Sequence, residues 1–152
     1  MDDAAIYRGP DSCDCFFQDL MQTTGANNGE VLVVAPSQDM LARSCGAEGR
    51  EFERLAKLQA IANIKCLVWE TTPTCSSVSE FQFRALPKQQ IGPTGYFVFG
   101  NKHALVLYKG AGVFQFVVIR CAAVAQDYRN HFFALWGMAT PLFPEISRKT
   151  SA

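Results

Sequence analysis

The stretch that decides the fold is Gly95–Ala139, GYFVFGNKHALVLYKGAGVFQFVVIRCAAVAQDYRNHFFALWGMA. Tyr96 to Phe99 is a short aromatic and β-branched run, Gly100-Asn101 is a turn signal, and Ala104 to Tyr108 is a second apolar run. Gly110-Ala111-Gly112 breaks the chain before a third run, Val113 to Ile119. Runs of this kind, bounded by Gly and Asn, predict three strands joined by tight turns. From Ala122 to Met138 the period changes to that of a helix. On a helical wheel, Val124, Leu135, Tyr128, Ala139, Phe132, Ala125 and Trp136 fall within one arc of about 120°, while Gln126, Asp127, Arg129 and Asn130 lie mostly outside it. A meander therefore feeds an amphipathic helix that packs back on the sheet.

Working outward, Ala4 to Arg8 reads as a first strand, and Gly9-Pro10 turns the chain. Asp11 or Ser12 can cap a helix running to Thr23, whose apolar face is Phe16, Phe17, Leu20 and Met21. After the turn Gly25 to Gly29, Glu30 to Ala35 is a continuous apolar run, as expected of a strand buried on both faces. Gln38 to Arg43 predicts a helical turn and Glu48 to Ile61 a helix, with acids early and Lys57 late to suit the helix dipole. Ile64 to Glu70 is a second buried strand, so a βαβ unit with a right-handed crossover is expected. Thr71 to Ser79 is a polar loop, and Phe81 to Leu86 alternates as a strand with one wetter face. The order is β-α-β-α-β-β-β-β-β-α, an α/β fold with a mixed sheet covered by helices.

Composition narrows the function classes. The chain has 152 residues, which fits one domain (residues 1–140) followed by a polar tail (residues 141–152). Fourteen Lys and Arg balance fourteen Asp and Glu, and neither sign forms a run, so no dedicated nucleic-acid groove is expected. No apolar run approaches the roughly 20 residues that span a bilayer, and the opening MDDAAIYRG lacks the features of a secretory signal. A cytoplasmic protein with no membrane association is expected. Its six cysteines, Cys13, Cys15, Cys45, Cys66, Cys75 and Cys121, then read as reduced thiols. The C-x-C at Cys13 and Cys15 points its thiols about 200° apart on a helix, so no metal site is expected, and no cofactor motif is present.

Taken in order, these segments resemble the effector, or sensor, domain of TrmB-type sugar-sensing transcriptional regulators. Ile6-Tyr7-Arg8-Gly9, the helix with Phe17 and Leu20, and EVLVVA resemble the start of that domain. Glu51 to Ile61 followed by IKCLVWE resembles its next unit. The closing set is the most similar: Tyr96 to Lys102, Ala104 to Tyr108, Phe114 to Arg120, and Phe132-Phe133-Ala134-Leu135-Trp136. The resemblance covers roughly Ile6 to Ala139 and implies the phospholipase D-like fold, a mixed sheet with helices on both faces. Two departures follow. The DNA-binding winged helix-turn-helix of such regulators has no counterpart before Ile6, so a free-standing domain working with a separate DNA-binding protein is expected. The H-x-K-x-x-x-x-D motif of phospholipase D enzymes is also missing: after His103, Leu105 stands where the phosphate-holding Lys belongs, and the next Lys is Lys109.

The candidate residues are weighed on this basis. His103 and Lys109 are the weak catalytic alternative, and His103 reads most simply as a solvent-facing residue at a strand start. Arg8, Arg84 and Arg120 sit at or near strand ends, where α/β folds bind ligands; they either fork onto a phosphate, carboxylate or sugar, or form ion pairs with acids such as Asp11, Glu70 or Glu80. Trp69 and Tyr96 join them as ligand-binding candidates, against the plainer reading of aromatic core. Phe133 falls opposite the core arc of its helix, and with the neighbouring His131 it marks a homodimer interface. The expected function is a non-catalytic ligand-sensing or protein-interaction domain, regulatory and dimeric, taking a sugar or phosphate-bearing metabolite. The alternatives are a diverged phosphodiesterase and a scaffold without a ligand.

Overall fold

The computed structural model describes residues 3–26, 29–35, 57, 58, 60–69, 82–87, 89, 94–110 and 113–141. Among the described residues, eight strands and two helices have both ends in view: β1 (Asp3–Tyr7), α1 (Ser12–Ala26), β2 (Glu30–Val34), β3 (Asn63–Trp69), β4 (Gln82–Leu86), β5 (Gly95–Phe99), β6 (Lys102–Gly110), β7 (Val113–Arg120), α2 (Ala122–Met138) and β8 (Thr140–Pro141). All eight strands form one sheet in the order β1-β7-β6-β5-β2-β3-β4-β8. The strands β2, β3 and β4 are mutually parallel, and every other pairing is antiparallel. The helical turn expected at Gln38 to Arg43 and the loop Thr71 to Ser79 lie outside the described residues. Of the helix expected to end at Ile61, residues 57, 58, 60 and 61 are described, and they are helical.

The sheet is buried on both sides, and the pleat sorts each strand's residues between two cores. Val31 and Val33 of β2 join Phe97 and Phe99 of β5 and Phe16, Phe17 and Leu20 of α1 on one side. Leu32 and Val34 join Tyr96 and Val98 with Ala125, Phe132 and Trp136 of α2 on the other. The α/β architecture with helices on both faces is thus what the apolar pattern requires: a strand with no polar face needs a cover on each side. The helical arc of α2 points inward as its periodicity predicts, while Phe133, on the opposite side, is 39% exposed.

Local chemistry shifts several boundaries. The first strand starts at Asp3 rather than Ala4 and leaves Arg8 outside it. Ser12, expected as a possible cap, instead begins α1 and donates its hydroxyl to the Phe114 carbonyl at 2.7 Å, tying the helix start to β7. The helix also runs past Thr23 to Ala26. Gly29 then takes φ +68, and a Cβ there would press into the Ile61 carbonyl oxygen, so the close approach of the start of β2 to the residues leading into β3 needs glycine. The two-residue turn Gly100-Asn101 closes the β5–β6 hairpin, with Gly100 at φ +58. Among the described residues, no helix is long and apolar enough to cross a membrane.

Phe16 is the centre of the α1-side core. Its ring stacks on Phe116 at 4.2 Å between centroids and meets Phe97 and Phe99 edge-on at 5.0 and 5.8 Å. It is fully buried and touches both central and outer strands, so the sheet cannot collapse into the space it leaves. Phe16→Ala is expected to cost about 3–5 kcal/mol of stability, read from the urea midpoint by circular dichroism. A loss under 1 kcal/mol would show that this ring does not organise the core.

Candidate functional site

Two polar groupings stand out against the apolar cores, one on each face. The first lies beneath α2. Alternation along β6 places His103 on the same side as Tyr96 and Val98 of β5, under Tyr128. The imidazole, expected at the surface, is 1% exposed. It stacks on the Tyr128 ring at 3.7 Å and lies 5.3 Å from the Tyr96 ring. Among the described residues, neither of its ring nitrogens has a hydrogen-bond partner. Burial pushes its pKa down to about 4, because desolvation penalises the charged ring. Burial raises the Tyr96 phenol as well. The Tyr96 hydroxyl lies 2.9 Å from Nδ1 of His131, which sits exposed on α2, and donates to that nitrogen when it carries no proton.

The second grouping lies in a cleft of about 370 Å³ on the α1 face, where that helix passes over β1, β7 and β6. Register pairs Lys102 of β6 with Arg120 of β7 and Arg120 with Asp3 of β1. Lys102 Nζ donates to Asp19 Oδ1 at 2.6 Å and to Thr23 Oγ1 at 2.9 Å. The Tyr7 hydroxyl donates to Asp19 Oδ2 at 2.9 Å. Burial and the Asp19 carboxylate push the Tyr7 phenol up to about 12. Arg120 pairs with Asp3 through Nε and, at 3.1 Å, through Nη2. Arg120 holds the Asp3 carboxyl below its ordinary range.

The arginines expected to share a ligand site do not come together. Arg120 is on the α1 face at one end of the sheet, and Arg8 is exposed past the other end of β1. Arg84, on β4, lies five strands from β7, about 24 Å at ordinary strand spacing. Its Nη1 donates to the Trp136 carbonyl at 2.9 Å, and its guanidinium sits 4.4 Å from the centre of the Trp136 ring, so it holds the C-terminal turn of α2 to the sheet. Tyr96 belongs to the histidine cluster under α2. The side chains of Trp69 and Lys109 lie outside the described ones. Lys109 is six residues from His103 on one strand, about 20 Å, so within a single chain the two cannot grip one phosphate. Phe133 packs edge-on against Phe132 at 5.5 Å with its outer side exposed.

Sequence reasoning missed Asp19 and Lys102. The one available signal was an acid on α1 four residues after Cys15 and three before Gln22, all on one helical face. No group of three His, Cys, Asp or Glu among the described residues could hold a metal ion. Cys13, Cys15, Cys66 and Cys121 are thiols, and Cys45 and Cys75 lie outside the described residues.

No family model and no curated protein matches this sequence. Solved structures do. TrmBL2, an archaeal chromatin protein with a novel mode of DNA binding, superposes with a TM-score of 0.60 at 13% identity, over 91% of this chain and 54% of its own. Nuc from Salmonella typhimurium, a phospholipase D family member, gives 0.60 at 10% identity over 93% of this chain and 98% of its own. NucT from Helicobacter pylori gives 0.61 at 8% identity over 93% and 100%. The fold is therefore phospholipase D-like and similar to part of a TrmB-like protein, as the sequence resemblance implied. This chain spans about half the length of TrmBL2.

The buried His103 makes stability depend on pH. Its folded pKa, about 4, lies below the ordinary 6.5, so the unfolded chain binds the extra proton between those values. The stability of the neutral ring is fully present above pH 6.5 and is lost as pH falls toward 4. Between pH 7 and pH 5 the loss is expected to reach about 2 kcal/mol. Urea unfolding at the two pH values measures it. His103→Phe, which keeps the stack and removes the titration, is expected to abolish this component, and an unchanged pH dependence in that variant would rule His103 out as its source.

Proposed function

We propose that this chain is a non-catalytic regulatory domain of phospholipase D-like fold, located in the cytoplasm, that senses a small ligand or docks a protein and acts through a homodimer or a separate DNA-binding protein. The observation that carries the reading is the fate of the imidazole on β6. A phosphodiesterase of this fold needs an accessible, oriented His with a Lys two residues on. Here His103 is buried against Tyr128, neither nitrogen has a hydrogen-bond partner among the described residues, and Leu105 takes the place of the Lys. That ring serves packing rather than attack. The likeness to TrmBL2, an archaeal chromatin protein, accords with the proposed tie to DNA; the exposed Phe133 offers one side of α2 as the dimer face, and His131, about 200° away on the helix, lies at its other edge.

Three measurements test it. Bis(p-nitrophenyl) phosphate is expected to show no turnover above buffer; turnover that disappears in His103→Ala would overturn the reading in favour of a hydrolase. Native mass spectrometry is expected to find a dimer carrying a small-molecule mass that denaturation removes. Phe133→Glu is expected to shift the dimer to monomer, and an unchanged mass in solution would remove Phe133 from the interface.

A further inference from the structure

We propose that the cleft between α1 and the β1–β7–β6 edge of the sheet binds a small organic oxyanion, a carboxylate or a phosphate monoester, bridged between Lys102 and Arg120. The inference rests on the sensing reading and gives it a site and a ligand class. It begins from register. Lys102 and Arg120 stand directly opposite one another on neighbouring strands, on one face, where like charges repel. Each has its own carboxylate, but the two carboxylates are not equivalent. Asp19 is nearly buried, and both its oxygens are taken, by Lys102, Thr23 and Tyr7. Asp3 is 55% exposed on an edge strand, and among the described residues its carboxylate accepts hydrogen bonds only from Arg120.

The donors of the cleft are not spent. An ammonium carries three protons, and Lys102 uses two. A guanidinium carries five, and among the described residues Arg120 directs only Nε and Nη2, both at Asp3, leaving Nη1 unused. Gln18 and Gln22, one turn apart on α1, line the same cleft, and their amides make no hydrogen bond among the described residues. The cleft thus offers two cationic donors and two amide donors around a space of about 370 Å³, the size of a small metabolite's pocket. Cationic donors make their strongest bonds to anionic oxygens. An oxyanion seated between Lys102 and Arg120 takes the donors that Asp19 and Asp3 leave unused: Lys102 keeps its bond to Asp19, which also lines the cleft, and at Arg120 the ligand competes with Asp3, whose solvent-exposed pairing holds little. Because Gln18 and Gln22 belong to α1 and the cations to the sheet, such a ligand joins the two layers.

The test is calorimetric titration of the whole chain with inorganic phosphate, ribose 5-phosphate and succinate, with ribose and with KCl at matched ionic strength as controls. At least one anionic probe is expected to bind saturably where ribose and KCl do not, and comparing phosphate with succinate separates the two oxyanion sources. Arg120→Gln is expected to weaken that binding at least about tenfold. Asp3→Asn, which frees Arg120, is expected to strengthen it. Both side chains are on the surface, so neither substitution threatens the fold. No saturable binding beyond the KCl control, or binding that neither substitution alters, overturns the site. The sensing reading fails separately, if native mass spectrometry finds no retained ligand and no metabolite stabilises the chain.

Discussion

Burial of the central strands on both faces is the constraint from which the rest of this molecule follows. Val31 to Val34 of β2 and Tyr96 to Phe99 of β5 are adjacent in the sheet, and every one of these side chains is buried. Each fully buried apolar side chain contributes about 1.5–3 kcal/mol. Neither half of that contribution survives unless a helix closes each side. The first helix and the helical residues around Leu58 serve one face, and α2 serves the other. The parallel segment β2-β3-β4 and the antiparallel meander β5-β6-β7 are joined at the same β2–β5 contact, so the place of greatest burial is also where the two halves of the chain meet.

Away from that centre the sheet thins into edges, and its chemistry changes. At the β1–β7–β6 edge the α1 face becomes ionic: Tyr7, Lys102 and Arg120 replace the phenylalanines found further in, and Asp19 reaches down from the helix. At the other edge Arg84 fastens α2 through the Trp136 carbonyl and ring. The structural role of Arg84 and the ligand role proposed for Arg120 therefore rest on what faces each of them: a helix C-terminus for Arg84, an open cleft for Arg120.

The His103 cluster is costly by the ordinary rules for buried polar groups. An imidazole whose two nitrogens find no partner among the described residues forfeits its hydration in exchange for stacking. A Phe at this position would pack without that penalty. Such sites are where stability and conformational change meet, because the ring lies between β6 and α2, and its protonation acts directly on their contact. His131, three residues beyond Tyr128 and in contact with Tyr96, links the same cluster to the exposed side of α2.

Sequence alone determined the layers. The uninterrupted apolar runs at Glu30 to Ala35 and Tyr96 to Phe99 demanded burial on two sides, and the helical arc of α2 named its inward residues, because periodicity is a local property of the chain. The ordered segments carried the resemblance to the phospholipase D-like fold. Only the tertiary structure decided which polar residues meet. Lys102 and Asp19 are separated by 83 positions, and Arg120 and Asp3 by 117; nothing in the local pattern of either partner specifies the other. His103 was misplaced for the same reason. Its position after a turn suggested exposure, but α2 lies over that face of β6, and the imidazole is buried under Tyr128. Alternation along a strand says which residues share a face, and only the packing of the helices says whether that face is covered.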